Sequence, residues 1–212
     1  MNMGDLKIKV CGMRDPENIA GIAAAGPDFM GFIFYGKSSR YVGPLFEVDS
    51  LVPPSIKKAG VFVNEIPERV IETCQKVHLD IAQLHGNESP GYCRQIQQAG
   101  LTVFKAFAIG ESFDFNILEE YRPCCHFFLF DTKGQLPGGT GHKFDWQLLN
   151  NYQLDIPFFL SGGIRPEDLN SIQQIHHPKL YGVDINSGFE VSPAVKDVSK
   201  VRQFIAGIKS KI

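Results

Sequence analysis

The chain has 212 residues, of which 43% are hydrophobic and 21% are charged, an ordinary composition for a globular protein with one domain. Its formal net charge of −2, with both signs interspersed, gives no electrostatic footprint for nucleic acid or for an anionic membrane. No apolar run approaches the roughly 20 residues that span a bilayer, and the N-terminal residues lack a signal-peptide pattern, so we expect a cytoplasmic protein that binds neither nucleic acid nor membrane.

Cysteine and histidine usage indicates neither a disulfide framework nor a metal site. The five cysteines are odd in number, and none belongs to a C-x-x-C pair. The pair His176-His177 has no further ligand-type residues nearby at metal-site spacing. We therefore predict a chain that binds no metal.

Eight short runs rich in β-branched or aromatic residues recur along the chain and predict strands. Their mean spacing of about 26 residues, with helical patterns between them, favours repeated βα units and a parallel sheet. The predicted strands are 6–10, 29–34, 58–63, 80–84, 102–107, 126–130, 157–160 and 180–185.

Helix starts are marked by proline beside a capping or acidic residue, at Pro16, Pro90 and Pro166, and Pro67 begins a further segment with apolar residues at helical spacing. The last helix is predicted around 198–208, whereas the Pro-rich segment 42–55 is assigned no helix. Eight strands in strict alternation with helices predict a closed (β/α)₈ barrel that comprises residues 1–212 as one domain. A doubly wound open sheet is the alternative, but no G-x-G-x-x-G follows the first strand.

In such a barrel the functional residues stand at the carboxyl ends of the strands. Cys11 follows the first strand, where neighbouring N–H groups or a cation would lower the pKa of its thiol and let it work as a thiolate; an inert buried cysteine is the alternative. Arg40 and Lys37 follow the second strand. Either can hold a substrate carboxylate, and arginine can do so with two parallel bonds, unless both are solvated loop charges.

His85 follows the fourth strand and is either an acid, a base or a hydrogen-bond donor, or a residue that closes a turn. The sixth strand is a run of four large apolar residues that stops at Asp131. A carboxylate at the end of a buried strand must find partners, shift its pKa or stand at the mouth of a site, although capping a turn is the simpler interpretation.

Three glycine-containing loops follow the sixth, seventh and eighth strands and are candidates for binding phosphate. Glycine lets backbone N–H groups approach an anion, and in barrels a phosphate frequently sits between the last two of these loops. The predicted phosphate-binding residues are Gly141, Gly162, Gly163, Ser187 and Gly188.

Seven motifs in order along nearly the whole chain are similar to those of phosphoribosylanthranilate isomerases, a family of tryptophan biosynthesis. The motifs are K-V-C-G-M at 9–13, S-R-Y-V at 39–42, G-V-F-V-N at 60–64, Q-L-H-G-N-E at 83–88, G-G-T-G at 138–141 with F-D-W at 144–146, S-G-G-I at 161–164, and G-V-D-I-N-S-G at 182–188. One departure is Ser39, which stands where the family usually has proline before its arginine.

The resemblance implies an Amadori rearrangement of N-(5-phosphoribosyl)anthranilate, a small phosphoribosyl substrate, without metal or organic cofactor. It gives Asp131 the position of the general acid and Cys11 that of the general base. It places Arg40 near the anthranilate end, Asp184 near the sugar hydroxyls and His85 at the substrate mouth. Asp131 is then expected to be protonated part of the time, and Cys11 to be a thiolate part of the time.

Two other functions remain open from the residues alone. Another phosphosugar barrel, such as an indole-glycerol-phosphate synthase or a pentose-phosphate epimerase, would be expected to carry catalytic Lys and Glu or metal-binding His and Asp at the strand ends. A barrel that binds a phosphate ligand without catalysis would not need both a thiol and a carboxylate at its mouth. We expect a monomer or a homodimer.

Overall fold

Eight parallel strands close into a barrel in the computed structural model, which describes residues 6–48, 50–132 and 144–210. Each strand pairs with the next, and β8 pairs with β1, so the predicted (β/α)₈ fold is confirmed. The strands are β1 (Lys7–Val10), β2 (Phe29–Ile33), β3 (Lys57–Phe62), β4 (Ile81–Leu84), β5 (Thr102–Ile109), β6 (Phe127–Thr132), β7 (Phe158–Leu160) and β8 (Leu180–Ile185).

The α-helices begin where proline and capping residues predict. They are α1 (Pro16–Ala25), α2 (Pro67–Lys76), α3 (Pro90–Gln98), α4 (Leu169–Gln173) and α5 (Val198–Lys209). The side chains of Asp15 and Ser89 accept hydrogen bonds from the first-turn N–H groups of α1 and α3. Pro166 begins a 3₁₀ turn, Pro166–Asp168, that leads into α4. Across the described ranges, every helix is too short or too polar to cross a lipid bilayer.

Within the described residues, three of the connections between strands hold no α-helix. The described part of the segment between β2 and β3, to which the sequence analysis assigned no helix, holds none, and Phe46 there packs on Phe32 and Phe34, on the outer side of β2. Only 3₁₀ helices, Phe115–Tyr121 and Trp146–Asn151, are described after β5 and β6. Proline restricts the backbone of the first segment, and aromatic packing replaces the helix.

An antiparallel hairpin of β9 (Glu190–Ser192) and β10 (Val195–Lys196) lies between β8 and α5, and the sequence did not predict it. Ala194 turns the hairpin with a φ of 68°. A single 3₁₀ helix, Ser187–Phe189, joins β8 to the hairpin, and Glu190 of the hairpin binds Arg40 at the mouth of the barrel.

The lower part of the barrel interior is filled by interlocking rings, with centroids 4.7–6.1 Å apart. These rings belong to Phe29, Phe104, Phe127, Phe159 and Tyr181. Because successive strand residues alternate between the two faces of a sheet, the next inward positions carry different side chains. They include the buried polar residues Lys9, Gln83 and Asp184, so the barrel is closed below and polar above.

Candidate active site

A cavity of about 800 Å³, its solvent-filled mouth included, opens at the carboxyl ends of the strands. Its wall contains eight of the ten residues predicted for the site, which are Cys11, Arg40, His85, Asp131, Gly162, Gly163, Asp184 and Ser187. Gly141 lies outside the described residues. Gly188 is not part of the wall; a Cβ there would collide with the carbonyl of Ile164, so this glycine lets the loops after β7 and β8 approach each other.

Cys11 lies beside a buried ion pair at the floor of the cavity. The ammonium of Lys9 is 3.0 Å from each carboxylate oxygen of Asp184, and both side chains are almost completely buried. A Cβ on Gly31 would lie 2.7 Å from Cys11 Sγ and 2.9 Å from Lys9 Nζ, so the thiol and the ammonium flank the same glycine. Lys9 therefore binds Asp184 directly and lies close to the thiol.

The pKa of the Cys11 thiol differs from the prediction made from the sequence. Burial raises the pKa of the Cys11 thiol, and the nearby charge of Lys9 lowers it by less. The predicted lowering of this pKa was wrong because the sequence did not reveal how completely the thiol is buried. Burial lowers the pKa of Lys9, but the carboxylate of Asp184 raises it, and the pKa lies above its ordinary value. The ammonium therefore stays charged.

Asp131 is paired with Ala108 inside β6 rather than standing beyond the strand. Its Oδ1 accepts a hydrogen bond of 2.8 Å from the backbone N–H of Thr132, and its Oδ2 lies 3.1 Å from Nε2 of His85. The side chains of Asp131 and His85 are about one quarter exposed to the cavity, at 24% and 23%. A carboxylate that is held on one oxygen and exposed at the cavity can exchange a proton with a ligand.

The loop that begins at His85 is held by a buried carboxylate, that of Glu88. Glu88 accepts hydrogen bonds from the backbone N–H groups of Gly86 and Asn64, and its Oε2 lies 3.1 Å from Nζ of the buried Lys105. Lys105 also donates to the carbonyl of Gly86 over 2.8 Å. These bonds fix the loop after β4 and with it the position of His85.

The guanidinium of Arg40 forms two parallel hydrogen bonds with a carboxylate of the same chain. Its Nε and Nη2 donate to the two carboxylate oxygens of Glu190 over 2.8 and 2.7 Å. Nζ of Lys196, a fully buried ammonium, contacts the same carboxylate and lies 2.8 Å from Oδ1 of Asn186. Burial raises the pKa of Glu190, but the hydrogen bonds of Arg40 and the charge of Lys196 outweigh burial and hold this pKa below its usual value. The predicted two-bond capture of a ligand carboxylate therefore has a competitor, and Nη1 is the part of the guanidinium that Glu190 does not engage.

Two glycines after β7 have backbone conformations that other residues rarely adopt. Gly162 has a φ of 90° and Gly163 a φ of 66°. A Cβ on Gly162 would lie 2.7 Å from Oδ1 of Asp131 and would also collide with Thr132, so this glycine lets the seventh strand end beside the carboxylate. Opposite them, Ser187 begins the 3₁₀ helix Ser187–Phe189.

Four further residues of the site were not singled out from the sequence. Alternation along a strand could have identified two of them, because Lys9 shares a face with Cys11 and Gln83 shares one with His85. No local pattern could have identified the other two, Glu190 and Lys196, since Arg40 and Glu190 are 150 residues apart in the chain.

This chain is similar to known proteins in both sequence and fold. The family model of N-(5'-phosphoribosyl)anthranilate (PRA) isomerase matches residues 8–207. N-(5'-phosphoribosyl)anthranilate isomerase of Parabacteroides distasonis is 44% identical over 207 residues, which cover 95% of this chain and 92% of that protein.

Two solved structures are also similar. Phosphoribosyl anthranilate isomerase from Thermus thermophilus has a TM-score of 0.84 and 26% identity, and the match covers 96% of this chain and 98% of the other. A phosphoribosyl anthranilate isomerase in complex with reduced 1-(o-carboxyphenylamino)-1-deoxyribulose 5-phosphate has a TM-score of 0.80 and 31% identity, with 96% of this chain and 98% of that chain covered.

Proposed function

Because the chain belongs to the N-(5'-phosphoribosyl)anthranilate isomerase family, we propose that its cavity converts N-(5-phosphoribosyl)anthranilate into 1-(2-carboxyphenylamino)-1-deoxyribulose 5-phosphate, the isomerisation step of tryptophan biosynthesis. The observation that carries the proposal is that Cys11 of the first strand end and Asp131 of the sixth line one cavity. The rearrangement needs one group that gives a proton and another that takes one, and these two supply them.

In the proposed first step, Asp131 protonates the ring oxygen of the ribose. The bond from that oxygen to C1 breaks, and the nitrogen lone pair forms an iminium at C1. Asp131 suits this step because one carboxylate oxygen is held by Thr132 while the group remains partly exposed to the cavity.

In the second step, the thiolate of Cys11 removes the proton from C2, and the electron pair of that C–H bond forms the enolamine. The enolamine becomes the ketone product when C1 takes up a proton and the hydroxyl group on C2 loses one. A thiol with a raised pKa is deprotonated only in a minor fraction of molecules, but its thiolate is the stronger base when it forms. Lys9 supports this role, since its ammonium lies close to the sulfur and stabilises negative charge there.

The remaining substrate groups match the rest of the wall. We assign the phosphate to Gly162, Gly163 and Ser187, whose loops bring backbone N–H groups to the cavity, with Gly188 allowing the two loops to meet. We assign the ribose hydroxyls to Asp184. Arg40 is assigned to the anthranilate carboxylate through Nη1, and His85 to the acid side of the ribose.

The test is an assay of the purified chain with N-(5-phosphoribosyl)anthranilate, followed by the loss of anthranilate fluorescence. We expect enzymatic turnover that is unchanged by EDTA, because the proposed steps use only side chains. Binding without turnover would favour the non-catalytic barrel, and inhibition by EDTA would contradict the metal-free reaction. Turnover of a different phosphosugar alone would favour another barrel enzyme.

Three further proposals concern the whole chain. Closure of the barrel between β1 and β8 supports one domain for residues 1–212, which a single cooperative unfolding transition would test.

The five buried cysteines suit a reducing compartment, so we place the protein in the cytoplasm, to be tested by cell fractionation. A monomer or a homodimer is proposed, and sedimentation equilibrium distinguishes them.

A further inference from the structure

Gln83 is a buried neighbour of the acid, and the reaction described above gives it no role. Its side chain lines the cavity and is 1% exposed. Its Nε2 lies 3.0 Å from Nδ1 of His85, and Nε2 of that imidazole lies 3.1 Å from Oδ2 of Asp131. The amide, the imidazole and the carboxylate therefore form one row of hydrogen bonds that ends at the cavity.

The oxygen of the Gln83 amide takes no part in this row. Oε1 of Gln83 is buried, and no donor among the described residues reaches it. A buried acceptor without a donor is costly and requires an explanation. The two atoms of a glutamine amide are nearly the same size, and a half-turn about the last side-chain bond exchanges them without disturbing the packing.

The two orientations of the amide correspond to different protonation states of His85. When the NH₂ group faces Nδ1, that nitrogen must accept, so the hydrogen of the neutral ring is on Nε2 and is donated to an ionised Asp131. The carboxylate then has no proton to give. When Oε1 faces Nδ1 instead, the ring carries a hydrogen on Nδ1, and Nε2 and the carboxyl group can share a further proton between them.

We propose that Gln83 is a positioning residue for the general acid: with Oε1 turned toward His85, it accepts from Nδ1–H and holds the proton-loaded state of the His85–Asp131 pair. The inference rests on the proposed function. In that state the shared proton passes through Asp131 to the ribose ring oxygen as the bond to C1 breaks, and His85 remains neutral with its hydrogen on Nδ1. Each orientation makes one hydrogen bond to Nδ1 of His85, so rotation of the amide does not lose that bond, and the protonation state of His85 determines which orientation is adopted.

Other charges face this row and remain constant in the test. Asp184 on β8 acts on both Asp131 and His85, and its partner Lys9 on β1 neutralises it. Cys11 shares the floor with them. None of these three residues is changed in the variants below, so a shift in the pH profile of kcat is caused by the substitution at position 83.

The experiment compares Gln83→Glu with Gln83→Leu. A carboxylate at position 83 can only accept, so Gln83→Glu is expected to keep most of kcat and to move one limb of the pH profile of kcat upward by about one unit, since a negative charge beside the ring favours its protonated form. The limb that belongs to Cys11 stays in place. Gln83→Leu has no acceptor, and kcat is expected to fall about tenfold or more with KM within about twofold, the loss of one hydrogen bond to a charged group.

A spectroscopic measurement reports on the ring directly. In ¹⁵N spectra of the histidine side chains, with the His85 signal assigned by its loss in His85→Asn, Nδ1 should be protonated in Gln83→Glu at pH values where the wild-type Nδ1 is not. Gln98→Leu, at an exposed position on α3, serves as the matched control and should equal the wild type in both measurements.

An unshifted pH profile in Gln83→Glu together with an unprotonated Nδ1 would overturn the inference, as would wild-type kcat in Gln83→Leu. Thermal unfolding of each variant identifies any that fails to fold, and Gln83→Met, with a side chain of similar length, then replaces Gln83→Leu. If the wild type itself does not turn over the substrate, the proposed function fails, whereas the ring spectra still show whether position 83 sets the protonation of His85.

Discussion

The lower and the upper halves of the barrel interior are built from the same alternating strand positions but hold opposite kinds of side chain. Below, rings from β2, β5, β6, β7 and β8 interlock without a polar atom except the hydroxyl of Tyr181. Above, inward positions on β1, β4, β6 and β8 carry an ammonium, an amide and carboxylates, and Cys11, directly after β1, adds a thiol. Substitution of a ring in the lower half should therefore reduce stability and leave kcat nearly unchanged. Substitution of a proton-transfer residue in the upper half should reduce kcat and leave stability nearly unchanged.

The largest effect is expected in the upper half. Cys11→Ala and Asp131→Asn should each lower kcat by about 10²–10⁴-fold, because each removes a group that moves a proton. The unfolding temperature should change little, since both side chains face the cavity. Fluorescence assays paired with thermal unfolding measure the two quantities, and normal turnover in either variant would refute its assigned role.

The lower half should respond in the opposite way. Phe159→Ala removes a fully buried ring that contacts four others, and it should lower the free energy of unfolding by about 3–5 kcal/mol. The kcat of the folded fraction should remain within a few-fold of wild type. Urea unfolding and active-site titration test this, and Phe159→Leu, which leaves a smaller cavity, should show a smaller loss of stability. A selective loss of kcat would show that the two halves are not separable.

Glu190→Gln tests the hairpin that holds Arg40 in the upper half. It leaves two cations without a carboxylate, so we expect a loss of roughly 3 kcal/mol in stability at neutral pH and a higher KM. The pKa of Glu190 is lowered in the folded state, so its contribution is complete above the ordinary value of 4.5 and disappears as the pH falls through the lowered value. Urea unfolding from pH 7 downward should show the wild type and the variant converging in acid. A constant difference would mean that charge is not the cause.

The smallest effect is a change in titration at the floor of the cavity. In the free protein, alkylation of Cys11 by iodoacetamide should keep accelerating beyond pH 9, because burial raises the pKa of this thiol above 9.0. In Lys9→Met the apparent pKa should rise further, by about 1–3 units. The double variant with Asp184→Asn controls for the unpaired carboxylate. Mass spectrometry locates the adduct, and an unchanged pKa would remove Lys9 from its role.

The comparison of the two halves also explains what the sequence could predict. Strands and the polar residues at their ends follow from local patterns, so Cys11, His85 and Asp131 were predicted at one mouth of the barrel from their positions, and all three line the same cavity. The length of β6 was underestimated because its last pairings depend on β5, which continues to Ile109. Local pattern also said nothing of how deeply Cys11 is buried, and the predicted direction of its pKa was therefore wrong.

Contacts between distant segments were beyond local reasoning. The pairing of Arg40 with Glu190 depends on barrel closure and on the hairpin after β8, neither of which leaves a signal near position 40. The absence of a described helix between β2 and β3 is a tertiary effect as well, because Phe46 covers the strand instead. The loop that contains Gly141 lies outside the described residues, so its phosphate-binding role stays a prediction.

A crystal structure of this protein with the reduced product, 1-(o-carboxyphenylamino)-1-deoxyribulose 5-phosphate in its reduced form, is the most direct test of the central claim. The account predicts Cys11 Sγ within about 4 Å of the carbon derived from C2 and a carboxylate oxygen of Asp131 within hydrogen-bonding distance of the hydroxyl derived from the ring oxygen. The phosphate should lie between the loops after β7 and β8. A ligand bound with either side chain out of reach of its sugar atom would contradict the account.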